Sequence, residues 1–213
     1  MLETYDELLI NDVIQQYISG DTKARSLLEQ HLTNLEIAVP ENSVKHVATS
    51  LMFTDIVGSS SIFENFGDEY GRAIVFIHDK IVDEAMNKNG GKKIKHTGDG
   101  ILASFESCGR SVKTAMRILE KVREHNGKFP LLSFDIRMGI NIGNVIKEEM
   151  DIYGSSVNLA ARVCDLAGSN KILTTGVVRS RCMDMDKGYK FTPHGKHQMK
   201  GFSYQIPIFE VAA

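Results

Sequence analysis

The chain has 213 residues, of which 42% are hydrophobic and 24% are charged, and its formal net charge is −2. This composition is typical of one globular domain with a modest appendage. The sequence has no long run of Lys or Arg, which argues against a nucleic-acid-binding protein. No apolar run approaches the roughly 20 residues of a membrane span, and the first residues lack the pattern of a signal peptide. We therefore expect a cytoplasmic location and no membrane span.

The three cysteines argue against two further classes of protein. Their number is odd, and the sequence contains no Cys-x-x-Cys pair. A disulfide framework and a zinc ribbon are therefore both disfavoured.

The first 46 residues differ in pattern from the rest of the chain. Apolar residues at helical spacing predict two short amphipathic helices before about residue 35. Gly20 ends the first helix, and Asp21 is a suitable N-cap for the second. The segment Pro40-Glu41-Asn42-Ser43 is then a connector. We interpret residues 1–46 as a helical segment and linker, regulatory or bracing a dimer, and residues 47–213 as the main domain.

The main domain alternates strand and helix patterns. We predict, in order, a strand at 48–57, a helix at 70–88, a hairpin at 92–105, a helix at 111–125, a strand at 133–142 and a short strand near 145–146. This order predicts an α+β fold built on a ferredoxin-like βαββαβ sheet, with its helices on one side. A helix at 156–166 and strands at 171–174 and 206–211 extend it.

Two motifs each place one carboxylate where an apolar strand meets a glycine turn. They are FTDIVG at residues 53–58, with Asp55, and KHTGDG at residues 95–100, with Asp99. Magnesium prefers oxygen ligands and is commonly held by one or two carboxylates together with substrate phosphates. Each motif alone is also compatible with an ordinary turn. Together they predict a magnesium site that serves nucleotide chemistry.

A second group of polar residues lies later in the chain. Asn158 and Arg162 are four apart on a predicted helix, so they share one face, and Asp151 lies just before that helix. A guanidinium beside an amide suits phosphate and ribose oxygens, although a solvated pair has the same spacing. Lys200 precedes Gly201, where the backbone can approach a ligand closely. Lys200 is then either a mobile charge for terminal phosphates or a surface lysine.

These residues, in this order, resemble the class III nucleotidyl cyclases over roughly residue 47 to the end. Residues 52–58 are similar to the family's first metal motif, and residues 95–100 to its base-reading lysine and second metal aspartate. The resemblance also covers Asp151, the pair on the predicted helix, and Met199-Lys200-Gly201. Residues 47–213 are on this basis interpreted as a catalytic domain.

The resemblance implies a head-to-tail homodimer with two shared active sites, each using two Mg²⁺ ions, for which Mn²⁺ can substitute. One subunit would hold the metal ions through Asp55, the Ile56 carbonyl and Asp99. The other subunit would supply Lys95 and Asp151 for the base, Asn158 for the ribose, Arg162 for the transition state and Lys200 for the β- and γ-phosphates. The implied reaction is cyclisation of a nucleoside triphosphate, without a protein nucleophile.

Adenine offers an acceptor at N1 and a donor at N6, which match Lys95 and Asp151, so ATP is the expected substrate. Two alternatives stay open. Ser59-Ser60-Ser61 replaces a common aromatic residue near the metal motif, which allows a pyrimidine nucleotide cyclase that makes cyclic CMP or cyclic UMP. The chain is alternatively a non-catalytic nucleotide-binding regulatory domain. The segment 144–150 is shorter than the arm of many relatives, which bears on the dimer contacts.

Overall fold

The computed structural model describes residues 46–148, 151–183 and 189–212, together with Ser26. The chain divides into two units between Val44 and Lys45. Apart from the helical residue Ser26, the two helices predicted for the first unit lie outside the described residues.

The second unit contains eight described strands and five described helices. In chain order they are β1 (His46–Ile56), α1 (Ser59–Phe66), α2 (Asp68–Asn89), β2 (Lys92–His96), β3 (Gly100–Phe105), α3 (Cys108–Lys128), a 3-10 turn (Pro130–Leu132), β4 (Ile136–Lys147), β5 (Ile152–Tyr153), α4 (Ser155–Leu166), β6 (Lys171–Thr175), α5 (Gly176–Met183), β7 (Lys190–Gln198) and β8 (Gln205–Ala212).

All eight strands form one mixed sheet. Seven of them follow the order β2-β3-β1-β4-β6-β8-β7, and β5 pairs with the end of β4. Strand β1 lies between β3 and β4 and is antiparallel to both. Strands β4 and β6 are parallel, so the chain must cross over between them, and α4 lies in that crossover. The predicted α+β fold and its βαββαβ core are confirmed.

The two faces of the sheet bury different helices. Because side chains alternate along a strand, neighbouring residues point to opposite faces. Met52 and Met138 pack with residues of α2 and α3 in the largest core cluster. Leu51 and Leu102 pack instead with Ala160 of α4. The helices of the βαββαβ core therefore lie on one side, as predicted, whereas α4 covers the other face.

Several local features differ from the sequence prediction. Helix α1 was not predicted; it begins after Gly58 without a side-chain cap, and none of its eight residues is buried. Helix α5 and strand β7 were also missed. Strand β7 is largely exposed, contains Pro193, and has an irregular register before Gly195. The predicted short strand near residues 145–146 belongs to a continuous β4. Within the described ranges, no helix has both the length and the apolar character needed to cross a membrane.

Candidate active site

The two predicted metal aspartates lie at neighbouring strand ends. Asp55 is in β1, directly opposite Gly100 at the start of β3, and Asp99 precedes that glycine. The turns beside them use left-handed backbone conformations, with φ of 70° at Gly58 and 103° at Gly98. Glycine adopts these angles without a steric penalty. The sheet register therefore brings together two carboxylates that are far apart in sequence.

Other side chains already hold both carboxylates in place. The Nε and Nη2 atoms of Arg137 each lie 2.6 Å from Oδ2 of Asp55. The Ser59 hydroxyl donates a hydrogen bond to Asp99. Burial raises the pKa of Asp55, and the nearby Asp99 carboxylate adds to this effect, while the hydrogen bond from Arg137 opposes it. The pKa of Asp55 is thus raised despite a close ion pair, because a half-buried carboxylate beside a second one is costly to ionise.

This donor set suits a divalent cation such as Mg²⁺. Asp55 and Asp99 offer hard oxygen ligands, and a cation between them would relieve their mutual repulsion. In the part of the chain that the structure describes, no group of three or more His, Cys, Asp or Glu side chains is arranged to hold a metal. The two carboxylates alone cannot complete an octahedral shell, so the remaining ligands would come from the backbone, water and a phosphate-bearing substrate.

Lys95 and Asp151 form a donor–acceptor pair elsewhere in the molecule. The Nζ atom of Lys95, on β2, lies 2.6 Å from Oδ2 of Asp151, just before β5. The hydrogen bond from Lys95 lowers the pKa of Asp151. The Lys95 ammonium also lies 5.8 Å from the centre of the exposed Tyr153 ring. Exposed ion pairs contribute only about 0–1 kcal/mol to stability, so this pair does little to hold the fold together.

Helix α4 presents the third group of predicted site residues. Asn158 and Arg162 are both exposed, and the Nη1 atom of Arg162 lies 3.3 Å from Oδ2 of Asp165. The opposite side of the helix packs closely on β4. A Cβ atom added at Gly139 of β4 would lie only 2.1 Å from the backbone nitrogen of Cys164 in the helix. The position of the two polar side chains is therefore fixed by a backbone contact.

Lys200 lies in the turn between β7 and β8. The residue is exposed, whereas its neighbour Met199 is buried and anchors the turn. Gly201 has a φ of 85°, which confirms the predicted bend after the lysine. Among the described residues, no hydrogen bond or ion pair joins Lys200, Asn158 or Arg162 to the two aspartates or to Lys95. Arg137 lies between two of these groups, because its Nη1 also donates to the Asp165 carbonyl at 3.3 Å, and Asp165 pairs with Arg162.

Sequence reasoning missed two residues of the carboxylate site. Arg137 lies opposite Asp55 in the register of β1 and β4. The sequence does contain one indication of this role, a single arginine between the apolar residues Ile136 and Met138, which are both fully buried. A charged residue inside such a strand needs a partner. Ser59 enters the sequence analysis only as part of the segment that leaves a pyrimidine nucleotide open as the substrate. In the structure its hydroxyl contacts Asp99 directly.

Comparison with known proteins gives one consistent family. The profile of the adenylate and guanylate cyclase catalytic domain matches residues 40–210. An adenylate cyclase of Streptomyces coelicolor is 26% identical over 121 residues, which is 57% of this chain and 30% of that protein. The chain spans 29% to 48% of the length of other curated relatives that it matches.

Two solved structures share the fold. The crystal structure of an adenylate/guanylate cyclase/hydrolase from Silicibacter pomeroyi superposes with a TM-score of 0.70 at 26% identity, over 80% of this chain and 99% of that one. The adenylyl cyclase CyaB from P. aeruginosa gives a TM-score of 0.71 at 21% identity, over 80% and 96% of the two chains.

Proposed function

Because this chain belongs to the family of adenylate and guanylate cyclase catalytic domains, we propose that it is an adenylate cyclase, which converts ATP to 3′,5′-cyclic AMP and pyrophosphate. The observation that carries the choice of ATP is the contact between Lys95 and Asp151. It puts a donor beside an acceptor, the pattern that adenine N1 and N6 require. Guanine would need an acceptor in place of the lysine.

The carboxylate pair supplies the metal-binding half of the site. Asp55, Asp99 and the Ile56 carbonyl would hold two Mg²⁺ or Mn²⁺ ions, which when bound would activate the ribose 3′-hydroxyl and offset charge on the leaving pyrophosphate. Arg137 would then no longer be needed to balance the charge of Asp55. The planar guanidinium group of Arg137 is suited to binding phosphate oxygens. We therefore propose that the Arg137 side chain turns from the Asp55 carboxylate to the triphosphate.

The residues of α4 and the β7–β8 turn supply the positive half of the site. Arg162 would meet the charge that develops on the α-phosphate, and Asn158 would orient the ribose. Lys200 would bind the β- and γ-phosphates as a mobile point charge. Phosphoryl transfer depends mainly on such positioning and charge stabilisation, so the site needs no protein nucleophile. Loss of one preorganised donor typically lowers turnover by about 100-fold or more.

The lack of a direct hydrogen bond or ion pair from the two aspartates to Asn158, Arg162 or Lys200, among the described residues, agrees with a shared site. We propose a head-to-tail homodimer with two equivalent active sites. Asp55, Ile56 and Asp99 of one subunit would face the other five residues, Lys95, Asp151, Asn158, Arg162 and Lys200, of the second. Lys95 and Asp151 contact each other within one chain, as this division of the site requires.

The direct test is a product assay with four nucleotides. The purified protein is incubated separately with ATP, GTP, CTP and UTP plus Mg²⁺ or Mn²⁺, and the products are identified by mass. We expect cyclic AMP from ATP, and less than a tenth of the wild-type activity in Asp55→Ala and Asp99→Ala. Asp83→Ala, which removes an exposed ion pair to Lys93, is the control and should stay active. Cyclic CMP or cyclic UMP as the main product would replace ATP as the substrate, and no product from any nucleotide would favour a binding role.

A further inference from the structure

Helix α2 carries a polar network that reaches both carboxylate-bearing segments. Its centre is Asp79, whose Oδ1 lies 3.0 Å from Nδ1 of His78 and whose Oδ2 lies 2.8 Å from Nε2 of His96. His78 continues the network on its other side, where its Nε2 lies 3.1 Å from the hydroxyl of Thr54. One carboxylate thereby connects α2 to β1 and to β2.

The partners of His78 determine how its protons are arranged. The side chain is fully buried, so its ring nitrogens need partners within the protein. Since the Asp79 carboxylate only accepts, Nδ1 donates to it, and Nε2 shares a hydrogen bond with the Thr54 hydroxyl. The same hydroxyl accepts the backbone N–H of Ile101 at 3.1 Å. Every polar atom in this buried chain of contacts is satisfied, so the chain can hold its members in fixed positions.

The ends of the network lie beside the two metal aspartates. Thr54 immediately precedes Asp55 in β1, and His96 ends β2 shortly before Asp99. The hydrogen bonds from the two histidines outweigh the effect of burial on Asp79 and hold its pKa below the ordinary value. The network is therefore centred on an acceptor that is charged at neutral pH.

We propose that Asp79 is a positioning residue for the metal-binding carboxylates, holding β1 and the β2–β3 turn at the spacing that a divalent cation requires. The inference rests on the proposed function. Arg137 and Ser59 restrain the side chains of Asp55 and Asp99, each through Oδ2 of the carboxylate. The Asp79 network restrains the backbone segments instead, through His78 and His96, and leaves both carboxylates free to bind a cation.

Restraint of this kind has a measurable effect in other proteins. Residues that contact the metal ligands, and not the metal itself, orient those ligands. Their substitution typically lowers metal affinity or activity by about 10- to 100-fold. The sheet register brings the two carboxylates together, and two like charges this close repel each other in the absence of a cation. Without the network, we expect the β2–β3 turn to move away from β1. Part of the binding energy of the cation would then be used to bring the two carboxylates back together, and the affinity for the cation would fall.

Helix α2 provides a matched control one turn further along. Asp83 also binds a residue of β2, since its carboxylate lies 2.7 Å from Nζ of Lys93. An irregularity in β2 separates Lys93 from Lys95 and the strand end. Asp83 therefore joins the same helix to the same strand without reaching the carboxylate-bearing turn.

The experiment compares Asp79→Ala, His96→Ala and Asp83→Ala with the wild type. Mn²⁺ is added stepwise in the presence of 3′-deoxy-ATP, which cannot be cyclised, and the melting temperature is measured at each concentration. We expect the Mn²⁺ concentration for half of the stabilisation to rise by about tenfold or more in Asp79→Ala and His96→Ala, and to stay within about twofold of wild type in Asp83→Ala. His96→Gln keeps an N–H donor toward Asp79 and should restore most of the affinity.

The outcomes separate this inference from the proposed function. In Asp55→Ala the Mn²⁺-dependent stabilisation should disappear; if it persists, the carboxylate site is wrong and the inference fails with it. If Asp55→Ala abolishes the effect but Asp79→Ala and His96→Ala match the wild type, only the inference is overturned. Should Asp79→Ala fail to fold, His96→Ala and His96→Gln decide the question, because His96 is at the surface. A lower melting temperature without a shift in Mn²⁺ dependence would show a purely structural role.

Discussion

Replacing Gly139 with alanine would test the backbone contact that fixes the position of α4. The added Cβ would lie 2.1 Å from the nitrogen of Cys164 and 2.7 Å from the carbonyl oxygen of Ala160. Both atoms belong to the backbone of the helix, so no side-chain rotation can relieve the clash. Real Cβ contacts essentially never fall below 3.0 Å, and the difference from 2.1 Å means that the strand and helix must separate by about 0.9 Å.

The size of this displacement sets the expected effects. Overpacking of a close-packed site typically destabilises a protein by about 1–3 kcal/mol. For a domain of this size, each kcal/mol lowers the melting temperature by about 2–4 °C. Because α4 carries Asn158 and Arg162, a shift of nearly 1 Å should also lower turnover, by up to about 100-fold.

Gly127→Ala is the matched control for this substitution. Gly127 lies near the end of α3, and a Cβ added there meets nothing within 4 Å. Alanine at such a helical site is expected to stabilise the fold by about 0.4–1 kcal/mol. Thermal unfolding and steady-state cyclase kinetics are measured for both variants. A Gly139→Ala protein that melts and turns over like the wild type would refute the argument, because α4 would then tolerate the displacement.

Three further predictions follow from the site. Mixing inactive Asp55→Ala with inactive Arg162→Ala should rebuild one good site per heterodimer; activity that stays absent after demonstrated subunit exchange contradicts the shared site. The double variant Lys95→Glu, Asp151→Cys should lower kcat/KM for ATP far more than for GTP, since a bound base would close off this exposed pair and each polar group left unmatched there would cost about 1–3 kcal/mol; an unchanged ratio means that these residues do not read the base. The lowered pKa of Asp79 means that its charge stabilises the fold above about pH 4 and that this contribution is lost as the pH falls through the lowered pKa, so the melting temperatures of wild type and Asp79→Asn should converge as the pH is lowered below about 4; a constant difference argues against a role for the Asp79 charge.

The sequence by itself determined the features that depend on local pattern. The change from helical to alternating apolar spacing located β1, α2, α3 and α4, and the glycines beside Asp55 and Asp99 located the turns. The spacing of Asn158 and Arg162 was enough to place them on one face of α4, because residues four apart are neighbours on any helix. Helix α1 and strand β7 were missed because one lacks a capping side chain and the other lacks an apolar face.

Only the tertiary structure decided which distant residues meet. Arg137 reaches Asp55 because β4 pairs with β1 in one register, and a shift of one residue would turn it to the other face. Asp151 meets Lys95 because β5 folds back on the end of β4. Asp79 meets His96 because α2 packs against β2. These contacts depend on sheet order and register, which arise from the packing of the whole core, so the residues next to each of them do not identify its partner.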